Sequence, residues 1–91
     1  MYTIEDLKKI GFKAEFLTDG TWYTYYMKDY NQLDRVFKAF GLNNDSTPDE
    51  FPKFCIAAKS DLSCFQYCDT ELQYTEENLD RSDFERAVKA L

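Results

Sequence analysis

The side chains best suited to chemistry in this sequence are three cysteines, Cys55, Cys64 and Cys68, and seventeen carboxylates; histidine is absent. Without an imidazole, Ser-His-Asp and Cys-His catalysis are excluded, and the usual nitrogen ligand of zinc is missing. Cys64-x-x-x-Cys68 has the spacing of neither a redox CxxC motif nor a zinc site. On a strand these two thiols share a face but stand too far apart for a disulfide without a bend; on a helix they are i, i+4 neighbours. The odd count, with no secretory signal in Met1–Asp6, predicts small, buried, free thiols in a reducing, cytoplasmic compartment. Asp49/Glu50 and Glu76/Glu77 are adjacent carboxylates. Acid–base hydrolysis needs two such groups held across a cleft with separated pKa values, which surface loops on a small domain do not supply. Asn43-x-Asp45-x-Thr47 opens like a calcium loop but lacks the following glycine and the late glutamate. Gly11, Gly20 and Gly41 each answer to a helix end or a turn, so no phosphate-cradling loop remains. No catalytic residue, metal site or cofactor is expected.

Binding is therefore the chemistry to look for, and it needs a scaffold. The chain has 91 residues, enough for one domain with one core and too few for a deep walled pocket. Aromatic residues make up 18%, which gives a small domain much buried area per residue. No apolar run approaches the length of a membrane span.

Thr3 followed by Asp6 is a capping-box spacing, and it predicts a helix over Thr3–Ile10 ended by Gly11. Asp19-Gly20 predicts a hairpin turn between strands near Lys13–Thr18 and Thr21–Met27. That hairpin should turn Ala14, Phe16, Tyr23, Tyr25 and Met27 to the core, with Lys13, Glu15, Leu17, Trp22, Thr24 and Tyr26 on the other face. Asp29 caps a second helix, Tyr30–Phe40, whose Leu33, Val36, Phe37 and Phe40 recur at core-facing spacing. Thr47-Pro48-Asp49-Glu50 starts a single turn cut short by Pro52. Phe54–Lys59 and Ser63–Cys68 read as strands, with a short helix over Ser60–Cys68 as the alternative to the second. A further strand is expected at Glu71–Tyr74. Ser82, paired with Glu85, is the expected cap of a last helix carrying Phe84, Ala87, Val88 and Leu91.

These elements predict an α+β fold: a single-layer antiparallel sheet of four or five strands, helices mainly on one face, in the order α-ββ-α-ββ(β)-α. Residues 1–91 form one domain. Leu33–Phe40 aligns type for type with Phe84–Leu91, and a hairpin precedes each, so a weak ββα repeat spans about 12–42 and 53–91.

Charge and surplus rings point to function. Net charge is −6, and all of it lies in residues 43–91, which hold eleven acids against five bases. Asp69, Glu71, Glu76, Glu77, Asp80, Asp83 and Glu85 face one base, Arg81, in the same stretch. Such a field repels phosphate backbones and suits a basic partner. A one-layer sheet needs rings on one face only, yet Trp22 and Tyr26 fall on the other, and Tyr74 is not needed in the core. Tryptophan and tyrosine are enriched at binding hot spots; the alternative is that these rings close a second small core.

The expected function is non-enzymatic: an inhibitor or adaptor that docks on a basic protein surface. Trp22, Tyr26 and Tyr74 would anchor it, and Asp69, Glu71, Glu76, Glu77, Asp80 and Asp83 would steer it. In a sharper form the acids mimic nucleic acid and occupy the groove of a nucleic-acid-binding protein; no direct contact with nucleic acid or membrane is expected. In size and charge the chain looks like the small acidic proteins with which phages and mobile elements block host defence, anti-CRISPR inhibitors among them. The alternative is a self-associating, homodimeric module built on the open sheet face or an edge strand. A small hydrolase or thiol enzyme is the least favoured reading.

Overall fold

Local signals start the chain. Thr3 Oγ1 accepts the Asp6 N–H at 3.2 Å while the Thr3 N–H donates to the Asp6 carboxylate at 2.9 Å, a reciprocal capping box that opens α1, Ile4–Ile10. Gly11, at φ 126°, ends it with its N–H on the Leu7 carbonyl. The computed structural model describes residues 1–41, 48–69 and 77–91. Five strands follow α1: β1 (Lys13–Leu17), β2 (Gly20–Tyr26), β3 (Phe54–Lys59), β4 (Phe65–Asp69) and β5 (Glu77–Leu79). Helix α2 (Tyr30–Ala39) and a 3-10 turn (Pro48–Lys53) stand between β2 and β3, and α3 (Arg81–Ala90) closes the chain. Spatial order equals chain order, β1-β2-β3-β4-β5, with every pair antiparallel. The α+β class and the single sheet with its helices are as the sequence pattern implies.

The core lies between the helices and one face of the sheet. Tyr25, Met27, Phe54, Ile56, Ala58, Phe65 and Tyr67 meet Leu7 of α1, Leu33 and Val36 of α2, and Phe84, Ala87 and Val88 of α3. Ring contacts join the layers. Phe84 stands 4.6 Å from Phe65 and 6.0 Å from Phe12, and Phe37 stands 5.4 Å from Phe54, centroid to centroid. Polar clamps fix the helices to one another. Arg35 of α2 donates to the Ala90 and Leu91 carbonyl oxygens at 2.8 and 2.9 Å, satisfying the end of α3. Buried Gln32 donates to the Tyr25 hydroxyl at 2.7 Å and accepts the Lys28 N–H at 2.8 Å.

Several expectations need correction. The hairpin turns one residue early, at Thr18-Asp19, with Leu17 opposite Gly20. Neither turn residue has positive φ; Gly20 does, at 125°, so its freedom serves the first residue of β2 rather than the turn centre. The register moves by two residues (Ala14 opposite Tyr23), which leaves each side chain on its expected face. Phe16 and Ala14 are nonetheless exposed, because the helices do not reach under β1. The cap of α3 is Asp80, whose side chain accepts the Asp83 N–H, and the helix starts before Ser82. Ser60–Cys68 forms no helix; β4 starts at Phe65, after Leu62 at φ 60°. The strand expected at Glu71–Tyr74 lies outside the described residues, and β5 is found at Glu77–Leu79.

Phe84 of α3 packs on both Phe65 of the sheet and Phe12 after α1 and is almost fully buried, so Phe84→Ala is expected to destabilise the fold by about 3–5 kcal/mol in urea unfolding. A loss under about 1 kcal/mol would contradict this account of the core.

Candidate functional site

The sheet face away from the helices follows from strand alternation. It carries Glu15 and Leu17 of β1, Trp22, Thr24 and Tyr26 of β2, Cys55 and Ala57 of β3, Gln66 of β4 and Asn78 of β5. Its middle is closed. Trp22 is only 4% exposed, and Thr24, Cys55 and Ala57 are buried beside it. The Trp22 indole N–H donates to Asp19 at 3.0 Å, which ties the ring to the turn. Trp22 therefore forms part of a second small core and offers no free anchor, a correction to its expected role.

The margin of the face is open. Leu17 is 53% exposed and Tyr26 44% exposed. Phe16, on the helix side of the same strand, is 83% exposed. Phe16, Leu17, Thr18, Asp19, Trp22 and Gln66 line a shallow depression at the hairpin tip. Gln66 is held there by a 3.3 Å bond from its amide to the Asn78 side-chain oxygen. The Tyr26 hydroxyl donates to Glu15 at 2.8 Å. Partial burial, reinforced by that carboxylate, pushes the Tyr26 hydroxyl up to about 12.

Other expected partner-binding residues are scattered. Asp80 caps α3, and Asp83 makes a 3.3 Å ion pair with Arg86. Along α3, Arg81, Arg86 and Lys89 accompany Glu85, so the described surface of this helix is of mixed sign. Asp69 and Glu77 lie in β4 and β5, opposite Phe54 and Tyr67, their side chains outside the description. Glu71, Tyr74 and Glu76 lie outside the described residues. Sequence reasoning missed Phe16 and Leu17 as a pair. The available signal was their position at a hairpin tip, where a sheet outruns its helical cover.

The cysteines also differ from expectation. Cys55 is disulfide-bonded, and Cys64 is a free thiol. The β3–β4 register sets Cys55 opposite Cys68, since the two are equidistant from the intervening turn. The cross-link removes the argument from free thiols to a reducing compartment. Among the described residues no three His, Cys, Asp or Glu side chains converge as metal ligands, and no helix is long and apolar enough to cross a membrane.

Two measurements check this geometry. Alkylation of the folded, unreduced protein should label Cys64 and spare Cys55, and labelling of Cys55 would refute the cross-link. The raised Tyr26 pKa means that the folded state keeps a proton the unfolded chain loses above pH 10. Its contribution is complete below pH 10 and disappears as pH climbs toward 12. Wild type should thus lose stability over that interval more steeply than Tyr26→Phe in urea titrations; parallel curves would refute it. Compared with protein families, curated proteins and solved structures, the chain matches none, so the reading of its surface rests on its own residues.

Proposed function

We propose that the chain is a non-enzymatic protein-binding protein, an inhibitor or adaptor, that docks its hairpin margin on a basic protein surface. The observation that carries this reading is where exposed apolar side chains gather. Apart from Met1, the large exposed hydrophobics among the described residues are Phe16, Leu17 and Tyr26, all on the β1–β2 hairpin. Elsewhere among the described residues the large rings and aliphatic chains are buried or half-buried, so the exposed ones are confined to this hairpin. Leu17 and Tyr26 flank a sealed, rigid strip, so they are presented without much conformational freedom to lose on binding.

Charge supplies the second part. The eleven acids of residues 43–91 create a negative field that draws a basic surface into encounter and repels nucleic acid itself. A nucleic-acid-binding protein is the partner class that best fits this field, and blocking its groove is the effect such docking would have. Phage or mobile-element inhibitors of host defence work on partners of this kind, and the chain's size and charge suit that use. A cytoplasmic site of action belongs to the same proposal.

The test begins with affinity capture at moderate salt and identification of the bound protein, followed by titration with that protein purified. The dissociation constant should rise at least about tenfold between roughly 0.05 and 0.5 M salt. Leu17→Ala and Tyr26→Ala should each weaken binding by about tenfold, the effect of losing a moderate anchor. Affinity indifferent to salt and to both substitutions would overturn the proposal.

A further inference from the structure

We propose that β1 is also an interface with a second copy of this chain, the two β1 strands pairing antiparallel about Ala14. The backbone register shows which groups are free. Met27 N–H donates to the Phe54 carbonyl at 3.0 Å, and Ser60 N–H donates to the Thr21 carbonyl at 2.9 Å. Odd-numbered residues of β2 therefore serve β3, and the intervening Gly20, Trp22 and Thr24 serve β1. Their partners Leu17, Glu15 and Lys13 point their backbone groups inward. The N–H and C=O of Ala14 and Phe16 are thereby aimed off the edge of the sheet, where the described fold has no neighbouring strand.

Two devices that usually blunt an edge, proline and a bulge, are missing here, and the charges β1 does carry, Lys13 and Glu15, are of opposite sign. Lys13–Leu17 contains no proline, and its five residues pair with β2 without a bulge. The opposite edge, β5, has three residues.

Charge selects a second copy and its register. Outward-pointing residues must face one another, which allows centres at Ala14, Glu15 or Phe16. A centre at Glu15 sets two carboxylates directly opposite, which is unfavourable. A centre at Phe16 runs Ala14 against Thr18 of the turn. A centre at Ala14 places Lys13 of each copy opposite Glu15 of the other, two cross-strand ion pairs in the close-set positions of the ladder. Lys13 is exposed and has no ion pair of its own among the described residues, so it is available for this one. The same register opposes the small Ala14 side chains at the axis and brings Phe16, 83% exposed in the single chain, toward the second copy. A continuous ten-stranded sheet results, with helices on one face and the Leu17–Tyr26 margins of both copies left open. Glu15 serves both surfaces, since it also accepts the Tyr26 hydroxyl, so Lys13→Glu, which leaves that bond in place, is the substitution that separates pairing from partner docking.

The experiment is sedimentation equilibrium of the full chain from micromolar to millimolar concentration, with amide hydrogen exchange at both ends of the range. Wild type should dimerise, with exchange at Ala14 and Phe16 slowing as concentration rises. Lys13→Glu should weaken the dimer by about tenfold, because two attractive pairs become repulsive. Adding Glu15→Lys to it should restore affinity to within about threefold. Ala14→Pro, which removes an outward N–H and leaves the β1–β2 ladder bonds in place, should abolish dimerisation. Circular dichroism identifies any variant that fails to fold, and if the proline does, the charge pair decides. A wild type that stays monomeric at millimolar concentration overturns the proposal and leaves the edge to a strand of another protein. So does a dimer unaffected by Lys13→Glu, or one whose concentration-dependent protection lies elsewhere.

Discussion

Strand β3 is the constraint on which this molecule depends. It is the middle of five strands, so both its edges are spent on neighbours, and Phe54 through Ala58 are buried on both faces. A strand in that position can carry only small or apolar side chains, and Phe-Cys-Ile-Ala-Ala is such a run. Large side chains alternate with small ones over Phe54–Ala57 for a reason. Ile56 and Phe54 meet the helices, while Cys55 and Ala57 leave room for Trp22 on the far side. The closed strip on that far side is what makes Trp22 structural and pushes the available apolar surface out to the hairpin margin.

The helices answer to the same strand from one side. Phe84 reaches the sheet through Phe65, and Phe37 reaches it through Phe54. Arg35 then ties α2 to the end of α3, so the two helices form one lid. What this lid does not cover is β1. The exposure of Ala14 and Phe16 follows from that shortfall in helical cover, while the open backbone groups of the strand follow from its place at the edge of the sheet.

Much of this was legible in the residues. Thr3 and Asp6, Asp29, and the Leu33–Phe40 stripe each act through contacts three or four positions apart, and such contacts show in a linear reading. The strand faces were legible too, because alternation survives a register shift of two. What escaped depends on distant partners. Phe16 has the composition of a core residue, and only the reach of the helices decides that it stays outside. Asp80 and Ser82 are both good caps, and the choice rests on where β5 releases the chain. The bonding of Cys55 was not readable from cysteine spacing or from the odd count, which pointed to free thiols. The candidate site was legible only in part. Tyr26 was visible as an outward ring, while the sealing of Trp22 required the Asp19 contact and the small side chains of β3.

A sheet whose spatial order repeats its chain order has a kinetic signature. Each hairpin can zip from its own turn, with partners close in sequence and little loop entropy to overcome. The one long closure brings Tyr26 to Cys55 across the whole of α2 and the segment after it. A chain that has not yet made that closure leaves the free sides of β2 and β3 as unpaired edges, as open as that of β1.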